Sequence, residues 1–449
     1  MKFSMKPVRP CTIKPPTLPL HNTTRLPLNS TTVILGVSKW VETRQLTHIH
    51  PAVGQIRAVK NLVREKAGLT GLDRGLSLRQ RWMDYQGIKN WEGLLDPLDD
   101  TLREEIIRYG KFVEAAYRSY EFDPAAAGYS HCRHSKAKLL TRAGFPATGY
   151  RVSKNLSATS GIQLPRWAEK TPEWMSVQSS WIGFVAVCQD KREIERLGRR
   201  DVVIAFRGTA TCLEWLENLR ATLTPLPAAA ACGGGGVGDF FSPNECGPMV
   251  ESGFLSLYTS KVGSSQSLQT SIRDEISRIL KLYGDEPLSF TISGHSLGAA
   301  LAILTAYDIK QTFQNLPHVT VMSFGGPRVG NPSFRSHLER QGTKVLRIVN
   351  SDDPITKVPG FVIDADADTD NNVRMNDNMA NISGWFQKQW VYADVGCELR
   401  LSSRDSPYHS GINIAACHDL RTYLDLVSGF VSSNCPIRAT ARKIISCGG

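Results

Sequence analysis

The run Gly294-His295-Ser296-Leu297-Gly298 sets a serine between two glycines where one sequence pattern gives way to another. Upstream, Leu288-Ser289-Phe290-Thr291-Ile292 reads as a buried strand. Downstream, Ala299 to Phe313 predicts a helix, with Ala299, Ala300, Ile303, Leu304 and Tyr307 on one face. G-x-S-x-G between strand and helix is the setting of a nucleophile elbow. The glycines let the chain bend sharply, and the turn lifts the Ser296 Oγ clear of the sheet. The following N–H, that of Leu297, then points to where an oxyanion would develop.

A serine nucleophile needs a base, and the base needs an orienting carboxylate. In α/β-hydrolases these follow the serine in the order acid, then histidine. Val345-Leu346-Arg347-Ile348-Val349 predicts a strand that runs into Asn350-Ser351-Asp352-Asp353-Pro354. Catalytic groups in parallel sheets sit just beyond the carboxyl ends of strands, and on that ground both Asp352 and Asp353 qualify. Two histidines follow, His409 and His418. His418 stands at an element boundary, after Ile414-Ala415-Ala416-Cys417 and before a helical run from Asp419 to Leu426. His409 sits in a polar loop after Ser406-Pro407. Placement favours His418; the other eight histidines read as surface or core residues. A second oxyanion donor is sought after the strand Val202-Val203-Ile204-Ala205-Phe206, where Arg207-Gly208-Thr209 forms a loop. Thr209 can offer its N–H and hydroxyl beside the N–H of Leu297. This chemistry calls for no metal and no cofactor.

These residues need a scaffold. Strand patterns occur at Trp181–Val187, Asp201–Phe206, Leu288–Ile292, Val319–Phe324 and Val345–Val349. Helical stripes lie among them or ahead of them. One runs from about Asp100 with Leu102, Ile106, Ile107, Tyr109, Phe112 and Ala115. Another spans Ser267–Tyr283 with Leu268, Ile272, Ile276, Ile279, Leu280 and Tyr283. Strands alternating with helices predict an α/β fold with a mostly parallel central sheet flanked by helices. Trp82 and Trp91 read as packing residues.

With 449 residues and 41% hydrophobic content, the chain can build one large α/β domain or two smaller ones. No apolar stretch approaches the ~18 residues of a spanning helix, so any membrane contact is expected to be peripheral. The net charge is +11, of which +6 falls in residues 1–50, where Glu42 is the only acid. An excess held mostly in a tail argues against nucleic acid as a partner. That tail is hydroxyl-rich and lacks the apolar core of a secretory signal. Its prolines, among them Pro7, Pro10, Pro15 and Pro16, oppose an amphipathic presequence helix. Residues 1–50 therefore read as a plastid transit peptide, the alternative being a disordered tail without an address. Ten cysteines show no C-x-x-C spacing and read as buried free thiols, with Cys435 and Cys447 close enough in sequence to pair.

Several motifs occur together in a fixed order: "VVIAFRGT", "GHSLGAALA", "SFGGPRVGN", "NSDDPITKVPG" and "ACHDL". With "NWEGLLDPLDDTLREEIIRYG", "VESGFLSLYTS" and "YADVGCELRL", the chain resembles the plant class I phospholipases A1, a branch of the class 3 lipases with plastid members. The resemblance covers roughly residues 76–430. It implies an α/β-hydrolase fold, with Ser296 as nucleophile, Asp353 as acid and His418 as base. It also implies cleavage of the sn-1 ester of a phospholipid or galactolipid, with the fatty acid released for jasmonate synthesis. The expected setting is a plastid lipid surface, thylakoid or plastoglobule. No obligate protein partner is evident. One departure is Thr356, where many class 3 lipases carry proline.

The resemblance further implies a lid, and Leu223 to Cys246 fits its place: glycine-rich, with Phe240-Phe241 as an apolar tip. A C-terminal tail is expected from 431 to 449. The G-x-G-x-x-G at Gly233 to Gly238 lacks the strand and helix of a dinucleotide site. Asp364 to Asp370 resembles a calcium loop, but Thr369 and Met375 occupy its essential Gly and Glu positions. Two function classes remain, a serine acyl hydrolase and a catalytically silent lipid-binding or signalling protein on a lipase fold. Ester turnover separates them.

Overall fold

The computed structural model describes residues 71–159, 179–209, 222–226, 247–261, 263, 265–359, 392–405 and 413–433, all within a unit spanning 69–449. Its centre is a seven-stranded sheet. In chain order the strands are β1 (Tyr150–Thr159), β2 (Ser179–Cys188), β3 (Arg200–Phe206), then β6 (Leu288–His295), β7 (His318–Phe324), β8 (Lys344–Asn350) and β9 (Cys397–Leu401). They lie side by side in that same order. The β1–β2 and β2–β3 pairs are antiparallel, and β3, β6, β7, β8 and β9 are mutually parallel. Between β3 and β6 the chain makes a separate two-stranded ribbon, β4 (Leu223–Pro225) with β5 (Met249–Glu251).

Period-two alternation sorts the strand side chains into two cores. Val203 and Ala205 face helices α1 (Gly71–Tyr85), α2 (Asp100–Ser119) and α7 (Leu420–Gly429). Val202, Ile204 and Phe206 face α3 (Ser252–Thr259), α4 (Leu268–Tyr283) and α5 (Leu297–Thr312). A further helix, α6 (Pro332–Arg340), joins the second layer through Phe334 and Leu338. Helices cover both faces, so the inner strands read as continuous apolar runs.

The helix starts follow capping chemistry. Asp99 accepts hydrogen bonds from the N–H groups of Thr101 and Leu102 at the start of α2. Ser267 accepts from Thr270 at the start of α4. The α2 stripe expected from sequence is buried at Leu102, Ile106, Tyr109, Phe112 and Ala115, while Ile107 is only half-buried. Its middle is tied to the sheet by polar contacts: Asp201 of β3 accepts from Tyr109 Oη at 3.1 Å, and also from Tyr150 Oη at 2.8 Å and Ser289 Oγ at 2.9 Å.

Two expectations change, and others fall outside the described residues. The helix after Ser296 is not one-faced: every residue from Leu297 to Ala306 is buried, because α5 is enclosed by the sheet, α3 and α4. Strands β1 and β9 have no strand assignment in the sequence reading, since their burial alternates imperfectly and β1 carries register shifts. The lid segment expected from Leu223 opens as strand β4, and its remainder, 227–246, lies outside the described residues. So do residues 1–50, His409, the acidic loop 364–370, Cys435, Cys447 and the tail from 434 on. Among the described residues Cys132, Cys188, Cys397 and Cys417 are free, and no helix is long and apolar enough to cross a membrane.

Candidate active site

Ser296 stands between β6 and α5 with φ 56° and ψ −126°. Side chains rarely occupy this region, at a cost of about 1–3 kcal/mol. The neighbours enforce the bend. A Cβ on Gly294 would lie 2.1 Å from the Gly298 carbonyl oxygen, and one on Gly298 would lie 2.5 Å from that of Arg207. Both positions exclude any side chain, which explains the G-x-S-x-G pattern physically. Ser296 is 1% exposed, and its N–H donates to the Phe324 carbonyl at the end of β7. Leu297 begins α5, so its N–H is among the donors that a helix start leaves without an intrahelical partner.

Asp353 follows β8 and is fully buried. Its Oδ1 accepts from the Ile355 N–H at 2.9 Å, capping the 3₁₀ turn Pro354–Lys357. Its Oδ2 accepts from His418 Nδ1 at 2.7 Å and from Tyr423 Oη at 2.6 Å. Asp352 turns the other way, with Oδ1 2.9 Å from Arg404 Nε and Oδ2 accepting from Ser402 Oγ. Of the two aspartates left open by strand-end placement, Asp353 is the one brought to histidine. Thr356, the departure from the usual proline, is buried, and its hydroxyl donates to the Asp353 carbonyl at 2.9 Å.

His418 lies in the short link between the helical turn Ile414–Cys417 and α7. Asn350, at the end of β8, fixes that link: its Nδ2 donates to the Cys417 carbonyl and to Ser403 Oγ. His295, which immediately precedes Ser296, reaches the same link from the other side. Its Nε2 is 2.7 Å from the His418 carbonyl, and the two imidazole centroids are 4.7 Å apart. Thus Asp353 and His418 touch directly, and Ser296 is joined to them through its neighbour.

The loop after β3 lies against the elbow. A Cβ on Gly208 would be 2.9 Å from the Ser296 Cβ. Arg207 is buried and folds back to hold the loop, donating to the Trp181 and Gly208 carbonyls and to Ser180 Oγ while stacking on Tyr120. Thr209 Oγ1 is buried and has no hydrogen-bond partner among the described residues. A buried hydroxyl without a partner is costly, and here it sits one residue from the contact with Ser296.

Sequence reasoning missed four residues of this site. Tyr423, and Tyr117 whose hydroxyl lies 2.7 Å from His295 Nδ1, look like ordinary helix-core aromatics. Asn350 looks like a turn residue. His295 reads in the sequence as one more surface or core histidine, although its place inside the G-x-S-x-G pattern is a signal. Burial, then the neighbouring His418, holds the His295 imidazole well below the usual histidine range.

The chain matches known proteins over most of its length. Residues 203–363 match the class 3 lipase family. The chain is similar to phospholipase A(1) DAD1, chloroplastic, of Arabidopsis thaliana, at 55% identity over 99% of this chain and 100% of that one. It is similar to galactolipase DONGLE, chloroplastic, of the same plant, at 38% identity over 79% of this chain and 71% of that one. Among solved structures it resembles a Rhizomucor miehei lipase propeptide complex at 17% identity, with a TM-score of 0.41, over 74% and 81% of the two chains. The chain belongs to the class 3 lipase family, in the group of the plant phospholipases A1.

Proposed function

We propose that this protein is a serine acyl hydrolase that cleaves the sn-1 ester of plastid glycerolipids, phospholipid or galactolipid, and releases a free fatty acid. The observation that carries the reading is Ser296 held at a strained elbow one residue from the group that anchors the His418–Asp353 pair. Asp353 occupies Nδ1 of His418, so Nε2 is the nitrogen left to take the proton from Ser296 Oγ as it attacks the ester carbonyl. The oxyanion is received by the N–H of Leu297 and by Thr209. His418 returns its proton to the leaving alkoxide, and water then hydrolyses the acyl-enzyme by the same route.

The relatives named phospholipase A(1) and galactolipase support a polar glycerolipid substrate. Their chloroplastic names, with the composition of residues 1–50, support the plastid as destination. Thylakoid or plastoglobule lipid is the surface on which we expect it to work, and jasmonate synthesis the consumer of its fatty acid. The test is a panel of vesicles of phosphatidylcholine, monogalactosyldiacylglycerol and triacylglycerol, each labelled at sn-1 or sn-2. Release of the sn-1 label from the polar lipids is expected. Turnover of triacylglycerol alone, or of none, would overturn the assignment.

A further inference from the structure

We propose that Tyr117 and His295 are positioning residues, which fix the oxyanion loop and the His418 backbone to the nucleophile elbow through one directed chain of hydrogen bonds. The inference rests on the acyl-hydrolase reading above.

The chain can be followed atom by atom. His295 Nε2 faces the His418 carbonyl at 2.7 Å. A carbonyl only accepts, so Nε2 carries the proton. His295 is held neutral by burial, which leaves Nδ1 as an acceptor. The group facing Nδ1 is Tyr117 Oη at 2.7 Å, so the phenol donates to it. With its proton spent there, the same oxygen accepts from the Gly208 N–H at 2.8 Å. The direction is unique from end to end: Gly208 N–H to Tyr117, Tyr117 to His295, His295 to the His418 carbonyl.

Three separate segments meet in it. Gly208 belongs to the loop after β3, beside Thr209. His295 ends β6 and is bonded to Ser296. His418 belongs to the link before α7. Tyr117, from the last turn of α2, joins the first to the second. The fit is close: a Cβ on Gly208 would fall 2.5 Å from Tyr117 Oη and 2.9 Å from the His295 carbonyl oxygen. A neutral ring at this place also matters for the base. His418 becomes cationic as it takes the serine proton, and a charged His295 with its centroid 4.7 Å away would oppose that step.

The test uses purified protein on a short soluble ester, with Ser296→Ala as control. Tyr117→Phe keeps the ring and removes the hydroxyl. His295→Asn keeps an acceptor near Nδ1 and loses the donor to His418, and His295→Gln does the converse. For Tyr117→Phe we expect kcat to fall about tenfold to a hundredfold, the scale of a misplaced catalytic group, with KM unchanged. Affinity for a boronic acid, which presents a tetrahedral anion to the oxyanion donors, should fall in parallel. His295→Asn should lower kcat while retaining boronate affinity better than His295→Gln. Values of kcat within twofold of wild type for Tyr117→Phe and His295→Asn would overturn the proposal. So would a fall in kcat tracking a lowered melting temperature, with boronate affinity untouched. If instead Ser296→Ala keeps full turnover, it is the acyl-hydrolase reading that fails.

Discussion

The hydroxyl of Tyr423 lies 2.6 Å from Asp353 Oδ2, the same oxygen that accepts from His418 Nδ1 at 2.7 Å. Tyr423 is fully buried in α7, and its ring packs within 3.0 Å of where a Cβ on Gly325 would stand. The aspartate is thus held from the helix that follows His418 as well as from its own turn. Replacing Tyr423 by Phe keeps the packing and removes one hydrogen bond to a charged acceptor, worth about 1.5–3 kcal/mol. We expect kcat to fall about tenfold, on the scale of 1.4 kcal/mol per decade, with KM nearly unchanged. Steady-state kinetics on a soluble ester check this, and an unaltered kcat would mean that Asp353 is oriented without the tyrosine.

The two adjacent aspartates should behave very differently. Asp353→Asn is expected to lower kcat by about 10³–10⁴, by analogy with orienting aspartates in other serine hydrolases. Asp352→Asn should change it little, because that carboxylate faces Arg404 and Ser402. Parallel kinetics on the two variants decide the matter; a larger loss at Asp352 would contradict the site described above.

Ser296 pays for its position in stability. Ser296→Gly removes the side chain from a positive-φ residue and should raise stability by up to about 1 kcal/mol, part of the 1–3 kcal/mol such strain costs. The gain is reduced by the extra freedom glycine has in the unfolded chain. Thermal unfolding of the inactive variant measures it. A melting temperature well below wild type would show that the elbow holds no such strain.

Much of this was legible in the sequence where a single physical demand dominates. The inner strands are covered on both faces and must be apolar throughout, so all five strand patterns found in the sequence appear in the sheet, each extended by a residue or more. The elbow needs two residues without side chains around its serine, so Ser296 and Leu297 stand out. Legibility ends where contacts are made across the fold. The α5 stripe could not reveal that α5 is enclosed on all sides. Nothing local to Tyr117 or Tyr423 says that one hydroxyl meets His295 and the other Asp353, because each partner is far away along the chain. Asp352 and Asp353 are alike in spacing and differ only in which way the turn aims them.

Acidification should unfold the protein partly through His295. Its imidazole is held well below the usual histidine range when folded, whereas an unfolded histidine titrates near ~6.5. Tyr117, Tyr423 and the His418 ring surround it in the folded state, and none is a carboxylate that would favour the charged form. The unfolded chain therefore binds the extra proton first. The stability this histidine contributes is complete above about pH 6.5 and is lost as pH falls toward the folded value, at up to about 1.4 kcal/mol per pH unit. His318 and His337, also lowered by burial, act in the same sense. We expect the melting temperature to fall between pH 7 and pH 5, and His295→Gln to flatten that slope while lowering the plateau. An unchanged slope in the variant would show that His295 does not take part.

The most direct test of the whole account is hydrolysis of a soluble ester by Ser296→Ala beside the wild type, with circular dichroism confirming that both are folded. The account predicts a loss in kcat of about 10⁴–10⁶, as for removal of a serine nucleophile elsewhere, with an unchanged fold. Turnover within about tenfold of wild type would contradict it, because a site whose chemistry runs through Ser296 Oγ has no other route at that rate.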